Sequence, residues 1–221
     1  MEWDWEFTWN RVLPAMLEAL PVTIQATVFS FILAIVVGLP LMLLRKSPIR
    51  LVSIVTGEFI EFIRGTPLLV QIFFLFFVLP EFGITLPPLL TGILAIGLYN
   101  AALCSEVFRA GFDAVPKGQW EAAKALNLSP RRTLTAIIIP QSLPPIVPAL
   151  GNYLIVIFKE TPLLSFVAVA EIMHVAKGIG VETYRFTEAI TVAGILFLIL
   201  SLIAAVLVGM VERYVNRKVY H

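Results

Sequence analysis

"EAAKALNLSPRRTLTAIIIP", Glu121 to Pro140, sets a glutamate, a lysine and two adjacent arginines into a chain that is otherwise mostly oil. Of 221 residues, 59% are hydrophobic and 14% charged, and the mean hydropathy is +0.92. A soluble globular domain carries about 45–50% apolar and about 25% charged residues. The composition therefore points to a polytopic membrane protein, and the stretch marks a place where the chain leaves the bilayer. Ala122, Ala123 and Ala125 favour a helix and present little bulk. Asn127 tolerates φ > 0 and can end that helix. Ser129 can cap a second one, with Pro130 at its first position. Two short helices joined by a left-handed turn are expected to lie across one face of the membrane.

Working outward from this elbow, five runs reach the roughly 20 apolar residues that a span needs. They cover about 19–44, 56–79, 88–110, 142–166 and 187–211. The last, "TEAITVAGILFLILSLIAAVLVGMV", is the cleanest. Arg45, Lys46 and Arg50 follow the first run, and Lys117, Lys124, Arg131 and Arg132 follow the third, whereas Glu81 alone follows the second. Basic and non-basic segments alternate, as five spans require. The positive-inside rule then predicts an all-α fold with the N-terminus outside, the C-terminus in the cytoplasm and the 113–135 loop inside. The acidic, aromatic start predicts Trp3, Trp5 and Trp9 as an outer interfacial anchor, and the first run reads as a span, not a cleavable signal. The single cysteine, Cys104, excludes a disulfide framework or a cysteine-rich metal site. His174 and His221 have no metal-ligand company, so neither a metal nor a cofactor is expected, and a net charge of +1 gives no reason to expect nucleic acid.

"EAAKALN" followed by "IIIP" resembles the EAA loop of bacterial ABC importer permeases, with Asn127 where that family has glycine and Ile139 where it has leucine. "EFIRGTPLLVQ" (61–71) is similar to the signature of the polar amino acid permeases of histidine, glutamine and arginine import systems. "SEVFRAGFDAVPKGQWEAA" (105–123), "IIIPQSLPPIVPALGNYLIVIFKETPLLS" (137–165) and "ERY" (212–214) fit the same group, so the resemblance covers nearly the whole chain. It implies a type I ABC importer permease fold in the bacterial inner membrane. It also implies partners: two copies of an ABC ATPase subunit, a second permease chain (a copy or a paralogue) and an extracytoplasmic solute-binding protein. Glu121, Ala122, Ala123, Asn127, Arg131 and Arg132 would then dock the ATPase, with the arginines also able to pair with membrane lipid phosphates. No G-x-x-x-x-G-K-[ST] sequence occurs, so ATP hydrolysis is expected from another subunit and no catalysis from this chain. The cargo implied is a polar amino acid, with a compatible solute such as ectoine or hydroxyectoine as the alternative.

Charged and polar groups inside the apolar runs mark a second set of candidates, because a charge at mid-span costs about 2.5–3.5 kcal/mol on insertion scales. Glu61 and Arg64 are spaced to pair on one helix face. Gly65 and Pro67 are expected to kink the helix just beyond them and to gate a path. Asn100 and Glu106 either line a substrate path or hold helices together by hydrogen bonds. Lys159 and Glu160 are expected as a partly buried pair, with Glu160 near the path. Gln25, between Thr23 and Thr27, suggests a polar stripe that either lines the path or glues helices. A self-contained secondary transporter is disfavoured, since five spans do not divide into inverted repeats. An intramembrane enzyme is disfavoured by the absence of H-E-x-x-H and G-x-S-x-G.

Overall fold

A backbone in hydrocarbon has no water to bond, so its N–H and C=O groups must be satisfied within the segment, and a helix does this locally. The computed structural model describes residues 3–220, apart from the side chains of 216 and 218–220; Glu2, the side chain of Lys218 and His221 lie outside this range. The described residues form eight helices and no strand. They are α1 (Trp5–Arg45), α2 (Arg50–Gly65), α3 (Leu68–Phe82), α4 (Pro88–Asp113), α5 (Lys117–Ala125), α6 (Pro130–Val167), α7 (Ile172–Thr183) and α8 (Phe186–Tyr220). Four of them, α1, α4, α6 and α8, are long and apolar enough to cross a bilayer, and α2 with α3 is a fifth candidate bent by 99°. The molecule is the all-α, multi-span protein expected.

Two expectations need correction. The second expected run is not one helix but the bent pair α2–α3. The second elbow helix is not short, because Pro130 opens α6, which continues to Val167. Pro140 fails to stop it for a local reason. A proline lacks an N–H and its ring clashes with the carbonyl four residues back. The turn Leu134–Ile138, just ahead of Pro140, is wound as a π-helix, which is wider and moves that carbonyl aside. The same device recurs at Thr8–Val12 before Pro14 and at Phe74–Val78 before Pro80. Each π-turn ends two residues before its proline.

α4 is the central helix: 56% of its most apolar window is buried within the chain, against 6% for α8. Its main partner is α1, and the two meet through small residues. A methyl group at Gly38 would lie 2.9 Å from the Ala101 carbonyl oxygen and 3.2 Å from the Cys104 Cβ. Lipid tails are as apolar as leucine, so close backbone approach rather than hydrophobic exclusion holds such a pair. Met42, Ile72, Ile96, Phe108, Ile146 and Leu164 fill the inner cluster around this seam. A second cluster joins the start of α1 to α7 and α8 through Val12, Met16, Ile172, Ala176 and Ala193.

Glu171 anchors α7. Its side chain is fully buried and accepts hydrogen bonds from the backbone N–H groups of Met173 (2.8 Å) and His174 (2.6 Å), and the Ile172 N–H donates to Thr23 Oγ1 of α1 at 3.2 Å. Burial pushes the Glu171 carboxyl up to about 7, against the two amides and the nearby Lys177 ammonium, which pull it down. At the same end, Asp4 caps the start of α1 and pairs with Arg185 at 3.2 Å, and Arg185 also pairs with buried Glu188. Trp5 and Trp9 lie exposed, whereas Trp3, expected to act with them, is half-buried.

Gly38→Val is expected to lower stability in detergent by about 1–3 kcal/mol, the usual cost of overpacking. Gly194→Ala, where the added carbon meets open space, serves as control. Equal thermal midpoints would remove the α1–α4 seam from this account. The raised Glu171 carboxyl gives a second test. Its folded value of about 7 exceeds the unfolded value of about 4.3, so its share of stability is complete below that lower pH and is lost as pH rises through 7. Glu171→Gln should flatten the fall in thermal midpoint between pH 5 and pH 8; an unchanged slope would show that the carboxyl does not titrate there.

Candidate functional site

The elbow is built by the residues that end one helix and start the next. α5 closes in a Schellman arrangement. The Asn127 N–H donates to the Lys124 carbonyl at 3.0 Å and the Leu128 N–H to the Ala123 carbonyl at 3.1 Å, with Asn127 at φ 49°. Ser129 then caps α6 by accepting from the Arg132 N–H at 3.4 Å. Glu121, Ala122, Leu126, Asn127, Arg131 and Arg132 are exposed, and neither arginine has an ion-pair partner among the described residues. Ala123 differs from its neighbours: it is buried and holds α5 against the body, with Gln141 donating to Gln119 across from α6 at 3.2 Å. The elbow thus offers a small-residue face flanked by two uncommitted cations.

The corner between α2 and α3 is the second component. Thr66 and Pro67 are extended (ψ 136° and 134°), which ends α2 at Gly65 and restarts the chain at Leu68. Such a break orphans the last carbonyls of α2. The Gln71 amide and the Thr66 hydroxyl take them up: Gln71 donates to the carbonyls of Ile63 (2.8 Å) and Thr66 (3.2 Å) and to Thr66 Oγ1 (2.7 Å), and Thr66 Oγ1 donates to the carbonyls of Phe62 (3.1 Å) and Ile63 (3.2 Å). Gln71 and Thr66 are not among the residues that the sequence alone marks for the site. A polar amide inside an apolar run was the available signal. Gly65 has open space beside it, and Arg64 pairs with Glu61 at 3.1 Å as its spacing predicts.

The third component joins α4 to the end of α6. Asn100 is fully buried, and its Nδ2 donates to Glu160 Oε2 at 2.7 Å and to the Ile96 carbonyl at 3.0 Å. Its Oδ1 is buried without a hydrogen-bond partner among the described residues. Tyr99 and Tyr153 pack nearby against the inner core. An amide and a carboxylate so placed form an acceptor-rich pair suited to an ammonium group.

Other candidates fall elsewhere. Glu106 lies about 9 Å along α4 from Asn100 at 1.5 Å per residue. It accepts from Arg45 at 2.5 Å and Arg109 at 2.7 Å, and Arg45 also lies 3.8 Å from Glu61. Glu106 therefore ties α1 to α4 by charge and is not beside Asn100. Lys159 and Glu160 do not pair. Neighbours on a helix point about 100° apart, so Lys159 is exposed on a groove with Asn152 and Ser201 while Glu160 turns inward. The polar stripe on α1 also dissolves for this reason. Thr23 and Thr27, four apart, are buried and bonded to each other through the Thr23 carbonyl (2.8 Å), but Gln25 is on the opposite, exposed side.

Residues 30–217 match the family model described as binding-protein-dependent transport system inner membrane component. The chain belongs to that family. This permease is 44% identical to the probable amino-acid ABC transporter permease protein y4tG of Sinorhizobium fredii, over 93% of its own length and 94% of the relative's. It is 34% identical to the L-cystine transport system permease protein TcyB of Bacillus subtilis, over 96% and 93%. Among solved structures it resembles the crystal structure of an amino acid ABC transporter with histidines, with a TM-score of 0.90 and 32% identity over 97% of this chain and 100% of that one. The permease is thus a multi-pass transport component of the inner membrane with the type I ABC importer permease fold. The matched segment includes the elbow, the corner and the Asn100–Glu160 pair, but not Gln25.

Gln71→Leu removes the amide donor of the Thr66 carbonyl, while the Ile63 carbonyl keeps the Thr66 hydroxyl at 3.2 Å, and leaving such a group unpaired costs about 1–3 kcal/mol. Backbone amide exchange over residues 68–72 should accelerate by roughly tenfold or more on this basis. Wild-type exchange in the variant would show that Gln71 does not hold the corner.

Proposed function

We propose that this permease forms the translocation path of an ATP-driven importer for a polar amino acid and docks the ATPase through its elbow. The observation that carries the reading is the Schellman turn at Asn127. It presents α5 outward and joins it directly to α6, whose far end bears Glu160. The basic residues around the elbow favour a cytoplasmic position under the positive-inside rule, which would leave the N-terminus outside and the C-terminus inside. Two ATPase subunits would seat Glu121, Ala122, Asn127, Arg131 and Arg132 in acidic or backbone-lined grooves, with Ala123 setting the pose of α5 from within. A second permease chain completes the path, and an extracytoplasmic binding protein supplies cargo.

Asn100 and Glu160 would receive the cargo's α-ammonium group. The bent α2–α3 corner, with Arg64, Gly65 and Pro67, would gate the approach. The names of the relatives, amino-acid and cystine permeases, favour a polar amino acid over ectoine. Gln25 and Glu106 stand apart from the Asn100–Glu160 pair. Gln25 faces outward and Glu106 is spent on two arginines.

The test uses the complete transporter in proteoliposomes. Ala122→Trp places a bulky ring on the exposed face of α5 and is expected to cut ATP-driven uptake roughly thirtyfold, the loss of about 2 kcal/mol at an interface hot spot. The amount of permease in the membrane should not change. Asn100→Leu is expected to cut uptake while the ATPase still co-purifies. Normal uptake in Ala122→Trp would overturn the docking role, and normal uptake in Asn100→Leu would leave Asn100 a purely structural bond.

A further inference from the structure

At the base of the elbow, four helices leave a groove of about 340 Å³ between them. Met42 and Leu43 from the end of α1, Phe112 from the end of α4 and Leu134 from the start of α6 give it apolar walls. Trp120 of α5 stands at its edge, 40% exposed. Lys46, Asp113 and Lys117 form a polar rim. Lys46 is committed to Asp113, with Nζ 2.5 Å from Oδ1. The Lys117 side chain has no hydrogen bond or ion pair among the described residues. Two cations and one anion leave the rim with one positive charge to spare, and it resides on a side chain free to swing.

We infer that this groove seats one anionic phospholipid of the inner leaflet, its phosphate at Lys117 beside the Lys46–Asp113 pair and an acyl chain along Met42, Leu43, Phe112 and Leu134. Three features select this occupant. Charge complementarity fits a phosphate monoanion at the rim. The walls are hydrocarbon-like, which a soluble phosphate compound would leave unused. The level is also right: Arg45, Arg50 and Arg109 surround the same end of the bundle, and a half-exposed indole favours the headgroup layer. The seat has a mechanical consequence. α5 touches the body mainly through Ala123 and the Gln119–Gln141 bond, so a lipid wedged beside Trp120 and Lys117 braces the docking helix from below.

The inference rests on the orientation proposed above for the elbow, but its test reads lipid retention and not uptake, so the two can fail separately. The transporter complex, purified in a neutral detergent, is titrated with dioleoyl phosphatidylglycerol or dioleoyl phosphatidylcholine and examined by native mass spectrometry. Phosphatidylglycerol should be retained in preference. Lys117→Gln should lower its retention about fivefold, the share of one surface lysine. Arg50→Gln, a cation of the same belt that does not line the groove, should leave it unchanged. Leu134→Trp, which fills the groove, should lower retention of both lipids. Equal retention of the two lipids by the wild type, or equal effects of Lys117→Gln and Arg50→Gln, would overturn the site. Undiminished retention in Leu134→Trp would do the same.

Discussion

The backbones of α1 and α4 touch at Gly38 and Ala101, and the rest of the molecule is arranged around that contact. In water, two apolar helices are driven together by exclusion from solvent. In a bilayer that force is absent, and the helices stay together only where their surfaces fit. Small residues let the two axes approach, and the larger side chains of α6 and of α3 then pack over the seam. The contact also sets the position of the charged groups. Arg45 lies two turns beyond Gly38 on α1, and Glu106 little more than one turn beyond Ala101 on α4, so the seam brings them to 2.5 Å. Asn100, the neighbour of Ala101, is directed instead toward the end of α6.

The second constraint is the accounting of backbone hydrogen bonds. This chain has 15 prolines, and several sit where a regular helix could not accept them without strain. Three are preceded by a π-turn that relieves the clash and lets the helix continue. At Pro67 the chain takes a second course: the helix stops, turns through 99° and restarts, and a side-chain amide replaces the lost backbone donors. Pro21, Pro40, Pro144, Pro145 and Pro148 take a third course and sit inside α-helix with no π-turn directly ahead of them.

How far these arrangements could be read from the sequence depended on the range of the interaction. The elbow was legible because asparagine, serine and proline act on their own backbone within a few residues, and so was the Glu61–Arg64 pair, three apart on one face. Long apolar runs marked the spanning helices for the same reason. The Gln25 stripe was misread because steps of two belong to strands, and in a helix they alternate between opposite sides. Adjacent Lys159 and Glu160 could not pair for a related reason. Glu106 found its partner in Arg45, distant in the chain, and no local pattern carries such information. Gln71 was in plain view, but its role exists only once the chain has turned the corner.

α6 has a consequence of its own. Because Pro140 does not interrupt it, the residue that opens it at the elbow and the carboxylate near its far end are parts of one rod. From residue 130 to residue 160 that rod is about 45 Å long at 1.5 Å per residue, so rocking it by about ten degrees about one end carries the other some 8 Å. That is wider than an amino acid side chain. A push delivered at the elbow would therefore arrive at Glu160 as a displacement of several ångströms. The stiffness of the Pro144–Pro148 segment would set how much of the stroke survives the journey.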